Sequence, residues 1–220
     1  MRQPFPSTVI IPAGSLAVTE PAGQRRIELP AFSIGRTPVT NGEYASCVES
    51  GRFAPPPWWN DPDFSLADQP VVGVTWDEAA AFCAWLASRD ARAWRLPSEA
   101  EWERAMSGGA DFPPTPWGPA VPEGEIPVGP LRGPWRTGQG SPNAWGVLDP
   151  GTVVHEWCLE WRDREGSAPA GAAQGRARRA SRGGSWRHRV RWSTPSARSS
   201  LPPDFRYSDF GFRVLREEPG

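Results

Sequence analysis

The chain has 220 residues, a formal net charge of −1, and 23 Gly, 27 Pro and 13 Trp. This length suits one domain with a sizeable core, and the balanced charge excludes a global field that would attract nucleic acid or an anionic membrane. The tryptophans argue against disorder, because each buried indole removes about 150–250 Å² from water. With so much Gly and Pro, we expect a loop-rich fold held together by aromatic packing.

The start of the chain and its cysteines indicate a compartment. Residues 1–18 lack the long apolar stretch of a signal peptide or membrane helix. The three cysteines, Cys47, Cys83 and Cys158, are scattered and form no disulfide framework. We therefore expect the protein in the reducing cytoplasm.

Two short strands are predicted first, within residues 8–15 and 26–30, because turn residues close each apolar run. Three helices follow, and the same pattern predicts the start of each one. A hydroxyl residue stands three positions before a glutamate, which is the capping-box spacing that satisfies the free amides of a helix start. The three caps are Thr40, Thr75 and Ser98.

The helical pattern also predicts a role for two cysteines. Cys47 and Cys83 fall on the apolar faces of the first two helices. Free cysteine is among the most buried residue types, so we expect both to pack in the core. After residue 110 only strand-like runs appear, at 152–154 and 212–215, and residues 164–180 are predicted to form a surface loop.

The centre of the chain carries a long and specific motif. Residues 69–76 read QPVVGVTW, and residues 95–103 read RLPSEAEWE. Together with the helix between them, they resemble the signature of the formylglycine-generating enzyme (sulfatase-modifying factor) family. Further matching motifs occur in the same order at Ile11–Gly14, Ile34–Asn41, Pro116–Gly118, Asn143–Asp149, His155–Cys158, Arg182–Trp186, Ala197–Ser199 and Gly211–Arg213.

The resemblance covers nearly the whole chain. It implies a single domain over residues 1–220 with the family's α+β fold, which is irregular and C-type-lectin-like, with few helices, short strands and much loop. Fold does not fix function, because unrelated sites are built on one fold. The site residues must therefore decide what the chain does.

In the family's oxidases, two cysteines after a Gly-Gly-Ser motif hold copper(I), and soft thiolates suit this ion. The first cysteine position is His188 in this chain. The second is Ser193 if the position is counted forward from the Gly-Gly-Ser motif without a gap. It is Val190 if the position is counted back from the Ala197–Ser199 motif. None of these side chains replaces a thiolate toward Cu(I), so we expect neither copper nor formylglycine formation. Ser185, His188 and Ser193 are the candidate catalytic residues that remain.

The only other histidine, His155, raises a second metal hypothesis. Imidazole suits copper, iron and zinc. His155 and His188 would form a site of two histidines and one carboxylate if the fold brought them to Glu156 or Asp149. No local spacing connects these residues, so two unrelated polar positions are the favoured interpretation.

The resemblance also implies structural calcium on loops near Glu156. The family carries Gly-Asn shortly before this glutamate, and this chain has Thr152 and Val153 there, which removes one side-chain oxygen. Calcium needs six to eight oxygen ligands. Because Asn143 and Asp149 remain, we predict calcium as the cofactor, held by Asn143, Asp149 and Glu156.

An arginine-rich aromatic stretch follows the Gly-Gly-Ser motif. Arginine forms bidentate hydrogen bonds with carboxylates and phosphates and stacks on rings, so this stretch suits an acidic ligand. The predicted ligand-binding residues are Trp186, Arg187, His188, Arg189, Arg191 and Trp192, with Arg198 and Arg206 as neighbours. An internal scaffold of tryptophan and arginine fits the pattern equally well. Arg213 is expected to serve the fold.

Three functional hypotheses follow. The leading one is a non-catalytic module, or pseudoenzyme, that binds a protein or a small anionic ligand and neither nucleic acid nor membrane. The second is a metal-dependent oxidase or oxygenase whose ligands differ from the cysteine pair. The third is a ligand-binding variable protein of a diversity-generating system, whose changeable residues lie between Gly183 and Arg213.

Overall fold

The computed structural model of the chain describes residues 5–20, 23–124, 131–162, 177–188 and 193–218. In these ranges, three helices and ten strands are joined by long irregular segments. No helix in them is both long enough and apolar enough to cross a bilayer. The elements are β1 (Thr8–Ile11), β2 (Gly14–Glu20), β3 (Gly23–Leu29), β4 (Phe32–Gly35), α1 (Asn41–Glu49), α2 (Trp76–Asp90), β5 (Trp94–Arg95), α3 (Glu99–Ser107), β6 (His155–Arg162), β7 (Arg178–Arg182), β8 (Arg198–Leu201), β9 (Phe210–Phe212) and β10 (Leu215–Glu217).

The strands form two four-stranded sheets and one hairpin. The first sheet has the order β1-β4-β10-β5 and is antiparallel, and β2 pairs with β3 in the hairpin. The second sheet has the order β8-β7-β6-β9, in which β6 and β9 run parallel. This parallel pair sets His155 opposite Phe210. Residues near position 210 are therefore brought next to the start of β6, although they lie far from it in the sequence.

All three helices begin where the capping pattern predicts. The side chains of Thr40, Thr75 and Ser98 each accept a hydrogen bond from the backbone N–H three residues later. The glutamate at that position accepts one from the backbone N–H of the cap. Each cap contributes about 1 kcal/mol. The predicted helix starts are therefore confirmed.

The three cysteines lie in the core. Cys47 and Cys83 pack in the cluster that contains Trp157, and Cys158 packs in the cluster that contains Trp102. Burial raises the pKa of Cys47 to about 12, and it raises the pKa of Cys83 and of Cys158 above the ordinary value as well. The prediction that Cys47 and Cys83 face the core is confirmed, and all three side chains are protonated thiols at neutral pH.

One strand prediction and one loop prediction are wrong. The apolar run at 152–154 forms a bend, and its buried valines Val153 and Val154 pack against Phe64 instead of entering a sheet. The segment predicted as a surface loop contains β7. There the guanidinium of Arg179 lies between two indoles, 3.4 Å from the ring centre of Trp76 and 3.6 Å from that of Trp161. Such cation–π contacts let an arginine-rich run form a strand. Residues 164–176 lie outside the described ranges.

Candidate functional site

A buried ion pair between Glu156 and Arg213 lies on one face of β6. The carboxylate of Glu156 accepts hydrogen bonds from Trp102 Nε1 at 2.6 Å and from Arg213 Nε at 3.0 Å, and its other oxygen accepts from a second Arg213 nitrogen at 3.0 Å. Arg213 also donates to the carbonyls of Gly35 and Leu148. Both charged side chains are fully buried. The prediction that Arg213 serves the fold is confirmed, and Glu156 is its partner.

The other two predicted calcium ligands also bond to the protein. The Asn143 amide donates to the Ala105 carbonyl at 2.7 Å, and its oxygen accepts from the backbone N–H of Val147 at 3.1 Å. Asp149 Oδ2 accepts from the backbone N–H of Gly138 at 2.6 Å. These bonds hold the loop over residues 138–149 against the end of α3. Calcium at this loop remains a prediction. The contacts described for Asn143 and Asp149 are hydrogen bonds with backbone groups of the protein.

The two histidines meet on the other face of β6. Successive side chains of a strand point to opposite faces, so His155 points away from the side on which Glu156 is buried. His155 Nε2 lies 3.1 Å from His188 Nε2. A turn, closed by a 2.8 Å hydrogen bond from the His188 N–H to the Ser185 carbonyl, carries His188 there. The interpretation that the histidines are unrelated positions is therefore wrong.

A backbone carbonyl fixes the protonation of His155. Its Nδ1 lies 2.8 Å from the carbonyl oxygen of Gly183. A carbonyl only accepts, so Nδ1 carries the proton and the neutral ring presents the lone pair of Nε2 to His188. Burial lowers the pKa of His155, outweighing the nearby charge of Asp209, which raises it. The neutral ring is also the form of histidine that binds metal ions.

The carboxylate beside the histidines is Asp209, and not Glu156 or Asp149. The ligand atoms of His155, His188 and Asp209 all lie within 4.8 Å of one another. The sequence does not reveal Asp209 as a site residue, because the parallel pairing of β6 with β9 is what brings it there. Its one sequence signal is its position two residues before the Gly-Phe-Arg motif.

The two candidate serines have different surroundings. Ser185 Oγ donates to Asp209 Oδ2 at 3.0 Å and thereby orients that carboxylate. Ser193 Oγ is buried and makes no hydrogen bond within the described residues. It packs so closely on Gly184 that a Cβ added there would collide with it. Ser185 is therefore a positioning residue, and Ser193 fills a packed interior.

The predicted ligand-binding arginines are partly engaged by the protein itself. Arg206 donates to both carboxylate oxygens of Glu78, at 2.6 and 2.7 Å. Arg198 lies 3.5 Å from Glu103. Arg187 is exposed, and it donates to Ser208 Oγ while its guanidinium lies over the ring of Trp186 at 5.0 Å. The remaining predicted residues, Arg189, Arg191 and Trp192, lie outside the described ranges.

A row of aromatic rings leads away from the histidines. Starting from His155, ring-centre distances of 4.7, 5.9 and 6.0 Å join it to Phe210, Tyr207 and Phe205 in turn. Phe205 is 43% exposed and Tyr207 is 40% exposed. This row is not among the predicted site residues, although three aromatic residues within six positions of a proline-containing loop are a visible signal in the sequence.

Comparison with known proteins gives consistent results. The family model for the sulfatase-modifying factor enzyme 1-like domain matches residues 1–218. The formylglycine-generating enzyme of Thermomonospora curvata is 30% identical, over 88% of this chain and 84% of the relative. The hercynine oxygenase of Mycolicibacterium smegmatis is 28% identical, over 54% of this chain and 36% of the relative.

Two solved structures resemble the chain over nearly its full length. PvdO from Pseudomonas aeruginosa superimposes with a TM-score of 0.77 at 23% identity, covering 98% of this chain and 96% of PvdO. Treponema denticola variable protein 1 has a TM-score of 0.77 at 22% identity, with coverage of 96% and 95%. These likenesses confirm the predicted fold, which is of the formylglycine-generating-enzyme type and C-type-lectin-like.

Proposed function

The chain belongs to the sulfatase-modifying factor enzyme 1-like family, and from this membership we propose that it is a binding member of that family that does not generate formylglycine. Its ligand is a protein segment or a small anionic molecule. The binding face consists of Trp186, Arg187, His188, Phe205 and Tyr207.

The observation that carries the proposal is the exposed aromatic row. Single exposed rings are common on protein surfaces, but contiguous ones mark interaction sites. Phe205 and Tyr207 are both exposed and their ring centres are 6.0 Å apart. Arg187 is exposed and donates to Ser208, which lies next to Tyr207 in the chain. Aromatic and arginine side chains are the residues that dominate binding energy in protein interfaces.

The cysteines support the proposal that the chain does not generate formylglycine. Copper(I) in the family's oxidases requires two thiolates, and the corresponding positions hold His188 and either Ser193 or Val190. The three cysteines that the chain does have are buried in the core as protonated thiols. The residues present therefore do not fit a copper–dithiolate centre.

Peptide binding tests the face. A random peptide library is selected against the immobilised wild-type chain, and binders are remeasured by fluorescence polarisation. We expect Tyr207→Ala and Arg187→Ala each to weaken the selected peptides at least about tenfold, which is about 1.4 kcal/mol. The matched control is Phe112→Ala, because Phe112 is 42% exposed but lies outside the face; it should leave the affinity unchanged.

A turnover assay tests the missing oxidase activity. The purified chain is incubated with copper(I), dioxygen and a cysteine-containing peptide, and the peptide is analysed by mass spectrometry. Formylglycine in the product would contradict the proposal. Selected peptides that bind Tyr207→Ala and Arg187→Ala as tightly as the wild-type chain would contradict the assigned face.

One observation favours a second candidate function, metal-dependent oxidation or oxygenation. His155 and His188 face each other at 3.1 Å beside Asp209, and two histidines with one carboxylate are the ligand set of many non-haem iron oxygenases. This candidate requires the cluster to hold a metal ion and a thiol or carbon substrate to be consumed with dioxygen.

A further inference from the structure

The geometry points to a binding site for one divalent first-row transition-metal ion, held by His155 Nε2, His188 Nε2 and the Asp209 carboxylate. This inference rests on the proposed binding function, because it names an ion as a ligand of the same face. The three ligand atoms lie within 4.8 Å of one another. They come from β6, from the turn after the Gly-Gly-Ser motif and from the residue before β9.

The distance between the two nitrogens matches a shared ion. Metal–nitrogen bonds of about 2.0–2.1 Å place two imidazole nitrogens about 2.9 Å apart at a right angle and about 3.4 Å apart at a tetrahedral angle. The nitrogens of His155 and His188 are 3.1 Å apart. The histidine pair therefore already has the spacing of two metal ligands. The carboxylate of Asp209, whose ligand atom lies within 4.8 Å of theirs, reaches a tetrahedral spacing with a shift of at most about 1.4 Å.

The surroundings hold the ligands in their binding form. Metal-binding histidines usually donate the other ring N–H to a carbonyl or carboxylate, which fixes the tautomer. His155 does so toward the Gly183 carbonyl at 2.8 Å. The Asp209 carboxylate accepts from Ser185 Oγ at 3.0 Å, and Phe210 packs on the His155 ring at 4.7 Å. Two of the three ligands are thus oriented before any ion binds.

The ligand types select the class of ion. Imidazole nitrogens suit zinc, copper(II), iron and nickel, whereas calcium and magnesium prefer an all-oxygen shell. Three protein ligands leave at least one coordination position open, as in metal sites that bind water or a further ligand. Because His188 is exposed, an ion can enter from solvent, and a ligand on the aromatic row can reach it.

Metal titration of the tag-free chain, stripped with a chelator, tests the site. Zinc binding is followed by calorimetry and cobalt binding by visible absorption. We expect one ion per chain. We also expect His188→Ala to weaken binding on the order of 100-fold, and Asp209→Asn and Ser185→Ala each to weaken it at least about tenfold. Asp204→Asn is the matched control, an exposed carboxylate on the same loop, and it should bind like the wild-type chain.

Two results would overturn the inference. One is the absence of saturable binding of zinc or cobalt to the wild-type chain, in which case the 3.1 Å contact is only a hydrogen bond between the histidines. The other is wild-type affinity in His188→Ala. Because His188 is exposed, this variant should fold normally, and its circular dichroism spectrum checks that it does.

The same samples separate this inference from the proposed function. Peptide binding is measured once with zinc and once with a chelator. Peptides that bind in the chelator, together with no saturable zinc binding in the titration of the stripped chain, refute the metal site alone. One zinc ion per chain, lost in His188→Ala, together with the formation of formylglycine from a cysteine peptide refutes the proposed function alone.

Discussion

The two faces of β6 place their polar side chains in different surroundings. Glu156 is fully buried and both of its oxygens are bonded to Arg213 or Trp102. Its neighbour His155 points the other way, half-buried, and meets the exposed His188 at 3.1 Å. One face thus satisfies its charge completely inside the protein, whereas the other presents ligand atoms near the surface.

This difference shows which residues stability requires and which it does not. A buried charge costs several kcal/mol unless it is paired and hydrogen-bonded, so the partners of Glu156 are dictated by the fold. A neutral imidazole at the surface carries no such cost. Asp209 is buried and its carboxylate accepts from Ser185, so only the approach of His188 to His155 is not required for folding, and this supports a role in binding.

The largest expected effect comes from disrupting the buried Glu156–Arg213 ion pair on one face of β6. Arg213→Met should lower the free energy of unfolding by about 3–5 kcal/mol, because it leaves the Glu156 carboxylate buried without its cation. Urea unfolding followed by tryptophan fluorescence measures the change. The control is Arg206→Met, which removes a partly exposed arginine from Glu78 and should cost at most about 1 kcal/mol. Equal losses in the two variants would contradict the structural role of the Glu156–Arg213 pair.

The smaller effect concerns the face of β6 on which His155 meets His188. Without metal, His188→Ala should change the free energy of unfolding by less than about 0.5 kcal/mol, as at other exposed positions. With zinc at about 100 times its dissociation constant, the wild-type chain should gain about 2.7 kcal/mol of stability by mass action. His188→Ala should gain almost none of this. Thermal melts with and without zinc measure both numbers, and an equal zinc effect in the two proteins would remove His188 from the site.

The sequence predicted the local features of the fold well. The capping boxes at Thr40, Thr75 and Ser98 depend on residues three apart, and so do the apolar faces that bury Cys47 and Cys83. Such short-range patterns are visible in one sequence. The family motifs, which extend over nearly the whole chain, then supplied the fold.

The site was harder to predict, because its residues meet only through long-range pairing. His188 was found by its place after the Gly-Gly-Ser motif, and His155 by being the only other histidine. Asp209 reaches them through the parallel pairing of β6 with β9, for which no spacing rule exists. The predicted partners were Glu156 or Asp149. Glu156 lies one residue from His155, yet strand alternation puts it on the opposite face.

The most direct test of the two-face account is a crystal structure of the chain soaked in zinc, with anomalous scattering recorded at the zinc absorption edge. The account predicts one strong peak about 2.0–2.2 Å from His155 Nε2, His188 Nε2 and an Asp209 oxygen, with the Glu156–Arg213 pair intact on the other side of β6. A peak at Asn143, Asp149 and Glu156, or none near the histidines, would contradict it.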